Sequence, residues 1–152
     1  MTSAPDGIAI VWPLGLAVIM TFTTVFIQAL ALLPIVYFVR HELKLGRAGV
    51  QFWRDMWIIG GVVMVSLAAH VLAIVTWALL FSVCGEFPQL ARGIYHSGMN
   101  YTTLGDSDTV MSPSWRFLAS LEAANGMLMF GVSIAMLFAV IQRLIHTRLR
   151  IK

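Results

Sequence analysis

Charged residues are scarce in this chain. They make up 11% of its 152 residues, whereas a soluble domain carries about a quarter. This scarcity, with a hydrophobic fraction of 59% and a mean hydropathy of +0.86, excludes an ordinary soluble domain. Cysteine occurs once, at Cys84, which excludes an internal disulfide and a cysteine-rich metal site. The spacing of the histidines and acids is not typical of a structural zinc or di-iron site either.

Three long segments contain no Asp, Glu, Lys or Arg: residues 7–39, 56–85 and 123–142. Each reaches the roughly 20 residues that a helix needs to cross a bilayer. None shows the polar face of a helix that packs on a soluble core. The first segment is too long for a cleaved signal peptide, and no basic residue precedes it. We therefore expect three permanent transmembrane spans.

Basic residues are distributed unevenly, because eight of the ten fall within residues 40–54 and 143–152. Segments rich in Lys and Arg stay in the cytoplasm, which predicts an N-terminus outside and a C-terminus inside. The net charge of +3 follows from this bias and predicts contact with anionic lipids at the cytoplasmic face, not nucleic acid. The short tails favour a bacterial cytoplasmic (inner) membrane.

The segment between the second and third apolar runs, residues 86–113, is too polar to cross the bilayer alone. Pro88 suits the first turn of a short helix, because its missing N–H would be unpaired there anyway. Irregular backbone at membrane depth is tolerated only where protein buries it or where it lines a watery cavity. We therefore predict one all-α integral membrane domain with three transmembrane helices plus a re-entrant pore helix and a filter loop. The predicted elements are a first span over 8–40, a second over 56–85, a pore helix over 87–103, a filter over 102–108 and a third span over 115–146.

Residues 101–108 read Tyr-Thr-Thr-Leu-Gly-Asp-Ser-Asp. Threonine hydroxyls and consecutive backbone carbonyls replace the water shell of an ion in a selectivity filter, and glycine lets successive carbonyls point the same way. A helix ending at these threonines would also direct its negative dipole end toward the ion. The pattern favours a cation-selective pore loop, and the alternative is a surface loop with turn-forming Gly and Asp.

With this motif the chain resembles the pore domain of potassium-channel-like proteins, whose filter reads Thr-Thr-Val-Gly-Tyr-Gly-Asp. The matching positions are Thr102, Thr103, Leu104, Gly105, Asp106, Ser107 and Asp108. Both threonines, the first glycine and the final aspartate agree, and the leucine is a mild change. Ser112-Pro113 and the Leu-Glu-Ala-x-x-Gly pattern of residues 121–126 agree as well. The resemblance covers roughly residues 57–146, so the first span lies outside it.

The resemblance implies a homotetramer that passes ions and is not an enzyme, with no cofactor beyond permeant potassium or sodium. It assigns ion contacts to Thr102, Thr103, Leu104, Gly105 and Asp106. Ser107 and Asp108 are assigned to the outer mouth. Because Asp106 and Ser107 replace the family's Tyr-Gly pair, we expect weakened selectivity for potassium over sodium. Acidic rings also hold divalent ions, which leaves a calcium-permeable pore as an alternative.

Supporting and gating roles follow from the same resemblance. Glu122 and Tyr101 are expected to support the filter, since an acid inside a membrane is a functional candidate by default. Gly126 is a candidate hinge of the inner helix. A cavity face or hydrophobic gate is expected from residues at four-residue spacing, namely Phe130, Ile134 and Phe138. The alternative for each of these three is contact with lipid or another helix.

Two rival functions remain open from the sequence. One is a non-conducting accessory membrane protein that keeps the fold with a degenerate filter. The other is a small membrane enzyme that uses Glu122, His70 or His96 as acid or base. These residues lie in different segments, which argues against the enzyme. His70 is expected to hydrogen-bond a neighbouring helix.

Overall fold

The structure is a computed structural model that describes residues 11–46, 51–105 and 111–150. It contains four helices, α1 (Val11–Lys44), α2 (Phe52–Val83), α3 (Leu90–Tyr101) and α4 (Arg116–Arg150), and no strand within those ranges. By length and composition, α1, α2 and α4 are able to cross a membrane. The predicted all-α membrane fold with three spans is confirmed.

The three long helices exceed the thickness of a bilayer core. They contain 34, 32 and 35 residues, so at about 1.5 Å per residue each is roughly 50 Å long against a hydrocarbon thickness of about 30 Å. Their ends therefore continue into the head-group region. The first charged residue after the apolar run is Arg40 in α1 and Arg143 in α4, and Asp55 is the last one before the apolar run of α2.

The residues divide into two compact units. The α3 unit consists of residues 1–23 and 74–127, and the three-helix unit consists of residues 24–73 and 128–152. The three-helix unit has an aliphatic core to which α1, α2 and α4 each contribute one pair of residues four positions apart. The pairs are Ile35 and Val39, Ile58 and Val62, and Val140 and Leu144. Residues at this spacing share one face of a helix, so the first span packs directly on the other two here.

A polar junction within the three-helix unit also joins these helices. The Gln28 side-chain amide of α1 donates to the Ser133 hydroxyl of α4 at 2.6 Å. The same hydroxyl lies 3.0 Å from the Nε2 atom of His70 on α2. All three side chains are buried. His70 therefore hydrogen-bonds a neighbouring helix, as expected, and α1 takes part in the same junction.

Two ion pairs occur near the helix ends of this unit. The Arg54 guanidinium lies 3.2 Å from the Glu42 carboxylate, and the Arg148 guanidinium lies 3.5 Å from that of Asp55. Each pair joins two different helices. Since the arginines are partly exposed, each pair contributes little to stability by itself.

Candidate functional site

The short helix α3 is fixed on one face by contacts within the α3 unit. Its buried residues include Gly93, Ser97 and Tyr101, which recur every four positions. At Gly93 an added Cβ would lie 3.4 Å from the Ala78 carbonyl oxygen of α2. The Ser97 hydroxyl lies 2.9 Å from the Ile74 carbonyl oxygen, also on α2. Glycine and serine at this spacing therefore let α3 approach α2 closely.

Glu122 of α4 is fully buried and contacts the same serine. Its carboxyl oxygen Oε1 is within hydrogen-bond distance of the Ser97 hydroxyl. A hydroxyl carries only one hydrogen, so Ser97 cannot donate to both Ile74 and Glu122. A proton on Glu122, donated to the Ser97 oxygen, satisfies both contacts. The acid thus links α4 to the face of α3 that precedes the Thr-Thr motif.

Gly126 brings α4 against the last residue of α3. An added Cβ at this position would lie 2.9 Å from the carbonyl carbon of Tyr101 and closer still to the carbonyl oxygen. Tyr101 is itself fully buried. Only glycine fits here without displacing backbone, because neither partner atom belongs to a flexible side chain. The end of α3 is therefore held by direct backbone contact with α4.

The Thr-Thr-Leu-Gly segment begins with a reversal of the chain that closes α3. The Thr103 N–H donates to the Asn100 carbonyl at 2.8 Å, and the Leu104 N–H donates to the Met99 carbonyl at 2.9 Å. These two bonds form the Schellman pattern of helix ends, which requires a left-handed residue at the position of Thr103. Its φ is +62°.

Threonine is a costly residue at this position. The same pattern closes α2, where the left-handed residue is Gly85 with φ of +80°. A β-branched side chain in this conformation is a genuine outlier and costs about 1–2 kcal/mol relative to ordinary backbone. Strain of this kind concentrates at functional sites. The chain therefore keeps a threonine side chain where glycine would serve the turn better.

Residues 102–105 are exposed in the single chain. The Thr102 hydroxyl donates to the Gly98 carbonyl at 2.7 Å, so its oxygen lone pairs stay available as acceptors. Gly105 has φ of +75°, a second left-handed residue two positions after Thr103. Asp106, Ser107 and Asp108 lie outside the described residues.

A second anchor follows this loop. The Glu86 carboxylate accepts the Ser112 N–H at 2.8 Å and the Ser112 hydroxyl at 2.5 Å. The Ser112 carbonyl in turn accepts the N–H of Arg116, the first residue of α4. The segment between Tyr101 and Ser112 is thus held at both ends, by Gly126 before it and by Glu86 after it.

Residues 52–143, more than half of the chain, match the family model described as an ion channel. The chain belongs to this ion-channel family. The resemblance to potassium-channel-like pore domains is thereby confirmed, and the protein is an integral membrane protein of the channel type. All of α1 precedes the matched region. No curated protein and no solved structure matches the chain.

The other candidate residues lie in both units. Gly126 belongs to the α3 unit, whereas Phe130, Ile134 and Phe138 belong to the three-helix unit. Phe130 packs against His70, with ring centroids 4.4 Å apart. Ile134 and Phe138 are 67% and 60% exposed. The three residues at four-residue spacing therefore have different surroundings, and their gating role stays a prediction. Gly126 has the packing contact described above, and its role as a hinge also stays a prediction.

The three residues considered as acid or base of an enzyme, His70, His96 and Glu122, do not all belong to one unit. His70 belongs to the three-helix unit, whereas His96 and Glu122 belong to the α3 unit. The His96 Nε2 atom lies 2.8 Å from the Asn100 side-chain amide, and the His96 ring is tilted by 45° to that of Phe87 with the centroids 4.8 Å apart. Within the described parts of the chain, no group of three His, Cys, Asp or Glu residues is arranged to hold a metal ion.

Sequence reasoning missed the contacts made by Ser97, Glu86 and Ser112. The four-residue spacing of Gly93, Ser97 and Tyr101 was the available signal for the first, because it marks one helical face of small residues. Nothing in the sequence pairs Glu86 with Ser112, which is 26 positions away. These contacts hold the helix before the Thr-Thr-Leu-Gly segment and the chain at Ser112 after it.

Proposed function

We propose that the chain is one subunit of a homotetrameric channel that conducts monovalent cations through residues 102–105. The observation that carries this proposal is the exposed, strained turn of Thr103, held at both ends by buried or bidentate contacts. A surface loop has no need of a β-branched residue in the left-handed region, whereas a filter depends on the threonine side chain and on fixed carbonyls.

The proposed ion path uses oxygen atoms of the loop. The Thr102 hydroxyl donates its hydrogen back into α3, which leaves its oxygen able to contact a cation. The carbonyls of Thr102, Thr103 and Leu104 supply further ligands. The C-terminal end of α3 carries partial negative charge, which stabilises a cation near Thr102. No bond is made or broken, so the proposed activity is passive transport.

Selectivity in this proposal depends on the residues after the loop. The family's Tyr-Gly pair is absent, with Asp106 and Ser107 in its place. We expect the outer ion sites to be lost and potassium to be only weakly preferred over sodium. Rings of Asp106 and Asp108 would concentrate cations at the mouth, and calcium binding there is a further expectation.

Fourfold assembly and orientation are part of the proposal. Each chain carries one filter segment, so a closed pore needs several copies, and four is the number that the family resemblance implies. The basic residues at the ends of α1 and α4 support a cytoplasmic C-terminus. The N-terminus and the loop then lie outside, and the membrane is a cytoplasmic one.

The test is the current through purified protein in a planar bilayer, with potassium on one side and sodium on the other. We expect a clear current with a reversal potential near zero. A reversal near the potassium equilibrium value would contradict the expected loss of selectivity. No current at any voltage, pH or calcium concentration would contradict conduction and favour the accessory protein. Chemical cross-linking in the membrane should yield species up to a tetramer and none larger.

A further inference from the structure

The three-helix unit carries a large excess of positive charge. Its sequence contains eight basic residues and only two acids, Glu42 and Asp55. Both acids are already engaged, because Glu42 pairs with Arg54 and Asp55 pairs with Arg148. No acid of this unit remains to neutralise the other basic side chains.

Three of these remaining basic residues converge on one surface. Arg40 and Lys44 are one turn apart on α1, and they line a hollow together with Leu43 and with Arg143 of α4. A second hollow beside it is lined by Tyr37, Arg40, His41 and Lys44. Arg40, Lys44 and Arg143 are exposed. None of the three forms a salt bridge within the described ranges.

The position of this surface along the helices matches the depth of lipid phosphates. Arg40 and Arg143 are each the first charged residue after a long apolar run. Both therefore lie where a helix leaves the hydrocarbon and enters the head-group region. Leu43 adds an apolar wall, and the exposed Tyr37 hydroxyl can donate one hydrogen bond.

We propose that Arg40, Lys44 and Arg143 form a binding site for the phosphate of an anionic phospholipid. Arginine binds phosphate oxygens through two parallel hydrogen bonds, and lysine adds a mobile point charge. A single bound head group then bridges α1, which precedes the matched channel domain, and α4, which belongs to it. The site gives the additional span a lipid-dependent attachment to the channel, and it does not depend on whether the channel conducts.

The test is retention of lipid by the purified full-length protein in native mass spectrometry. The protein in neutral detergent is titrated with phosphatidylglycerol and, separately, with phosphatidylcholine. We expect tight adducts with the anionic lipid only. The double variant R40Q/R143Q should weaken them by roughly tenfold or more, since it removes two of the three positive charges that attract the anionic head group.

A matched control removes the same number of arginines elsewhere. The variant R92Q/R116Q changes two arginines of the α3 unit, and it should retain the lipid as the unmodified protein does. The variant R40K/R143K keeps the charge but loses the paired hydrogen bonds, so its binding should lie between that of the unmodified protein and that of R40Q/R143Q. Circular dichroism and gel filtration establish that each variant is folded, which is expected because the replaced side chains of the site are exposed.

Three results would contradict the proposed lipid site. Equal losses in R40Q/R143Q and R92Q/R116Q would show a general effect of charge. Unchanged retention in R40Q/R143Q would show that these arginines do not hold the lipid. Displacement of the lipid by millimolar inorganic phosphate would identify a site for small anions instead. Because the readout is a bound mass and not a current, a non-conducting channel leaves this test intact.

Discussion

The two units of the molecule are stabilised by different kinds of contact. The three-helix unit packs paired aliphatic residues and joins its helices further by the polar junction at Ser133 and by ion pairs near the helix ends. The α3 unit packs aromatic residues, Trp77 and Phe81 among them, and holds α3 through a hydrogen bond at Glu122 and a backbone contact at Gly126. Apolar side chains are as soluble in lipid as in protein, so apolar packing alone gives little preference for one arrangement. Polar and backbone contacts are therefore expected where a loop must be placed accurately.

The ends of the helices differ in another way, which does not follow the division into units, because Gly85 and Thr103 both belong to the α3 unit. Both α1 and α2 end in a left-handed glycine, Gly46 or Gly85, whereas α3 ends in Thr103. The first two turns adopt the residue with the lowest conformational cost. At Thr103 the backbone is in the strained left-handed conformation, and the residue carries a hydroxyl group that glycine would lack. The difference indicates that the turn after α3 is selected for its side chain as well as for its shape.

The largest expected effect is at the contact between α4 and the end of α3. Gly126→Ala places a methyl group against the Tyr101 backbone. Because backbone must move to make room, we expect destabilisation of about 1–3 kcal/mol or more, together with loss of ion flux. Thermal unfolding in detergent and flux from liposomes measure the two effects. Gly131→Ala is the control, since an added Cβ there meets no atom within 4 Å. Equal behaviour of the two variants would show that the α3 unit is not held as described.

Two substitutions of Glu122 test whether the α3 unit needs the charge of this side chain or only its hydrogen bond. Glu122→Ala removes the hydrogen bond between α4 and Ser97, whose hydroxyl keeps the Ile74 carbonyl as its other partner; the loss should cost about 0.5–1.5 kcal/mol and reduce flux. Glu122→Gln keeps the volume and can donate to the Ser97 oxygen, so it should retain most of the stability and flux of the unmodified protein. Thermal melts and flux assays compare the three proteins. A glutamine variant as impaired as the alanine variant would show that the carboxylate charge itself is required.

A substitution at Thr103 tests whether the residue with the strained left-handed backbone also determines ion selectivity. Thr103→Gly relieves the left-handed strain and should raise the free energy of unfolding by about 1 kcal/mol, while it alters the ratio of potassium to sodium permeability. The reciprocal change, Gly85→Thr, should lower stability by a similar amount and leave that ratio unchanged. Melting temperatures and bi-ionic reversal potentials provide the two readouts. A Thr103→Gly channel with unchanged permeability would reduce Thr103 to a turn residue.

The smallest effect is expected in the three-helix unit. Ser133→Ala removes the hydroxyl shared by Gln28 and His70, and hydrogen bonds between membrane helices average about 0.6 kcal/mol. Ser66→Ala is the control, because the partner of Ser66 among the described residues is the Val62 carbonyl of its own helix. Thermal unfolding of both variants should show a lower midpoint for Ser133→Ala. If the Ser66 variant were the less stable one, the junction would not secure α1.

The three spans were predictable because three segments without charged residues are long enough to cross a bilayer. The family, since confirmed, was predictable from the motifs at residues 102–108 and 121–126. Contacts between distant residues were not predictable. Gln28 and Ser133 are 105 positions apart, and no periodicity relates them. The left-handed Thr103 was also missed, since threonine disfavours that conformation. Gly126 was visible as a small residue, but its contact with Tyr101 depends on how α3 and α4 approach.

The most direct measurement locates the permeant ion itself. Crystals of the assembled protein grown in rubidium chloride would reveal rubidium by its anomalous scattering. The account predicts rubidium between the oxygen atoms of Thr102 and the carbonyls of residues 103–105, on the axis that relates the subunits. Rubidium absent from this loop, with sites only at the aspartates or none at all, would contradict the claim that the strained Thr-Thr-Leu-Gly turn forms the ion path.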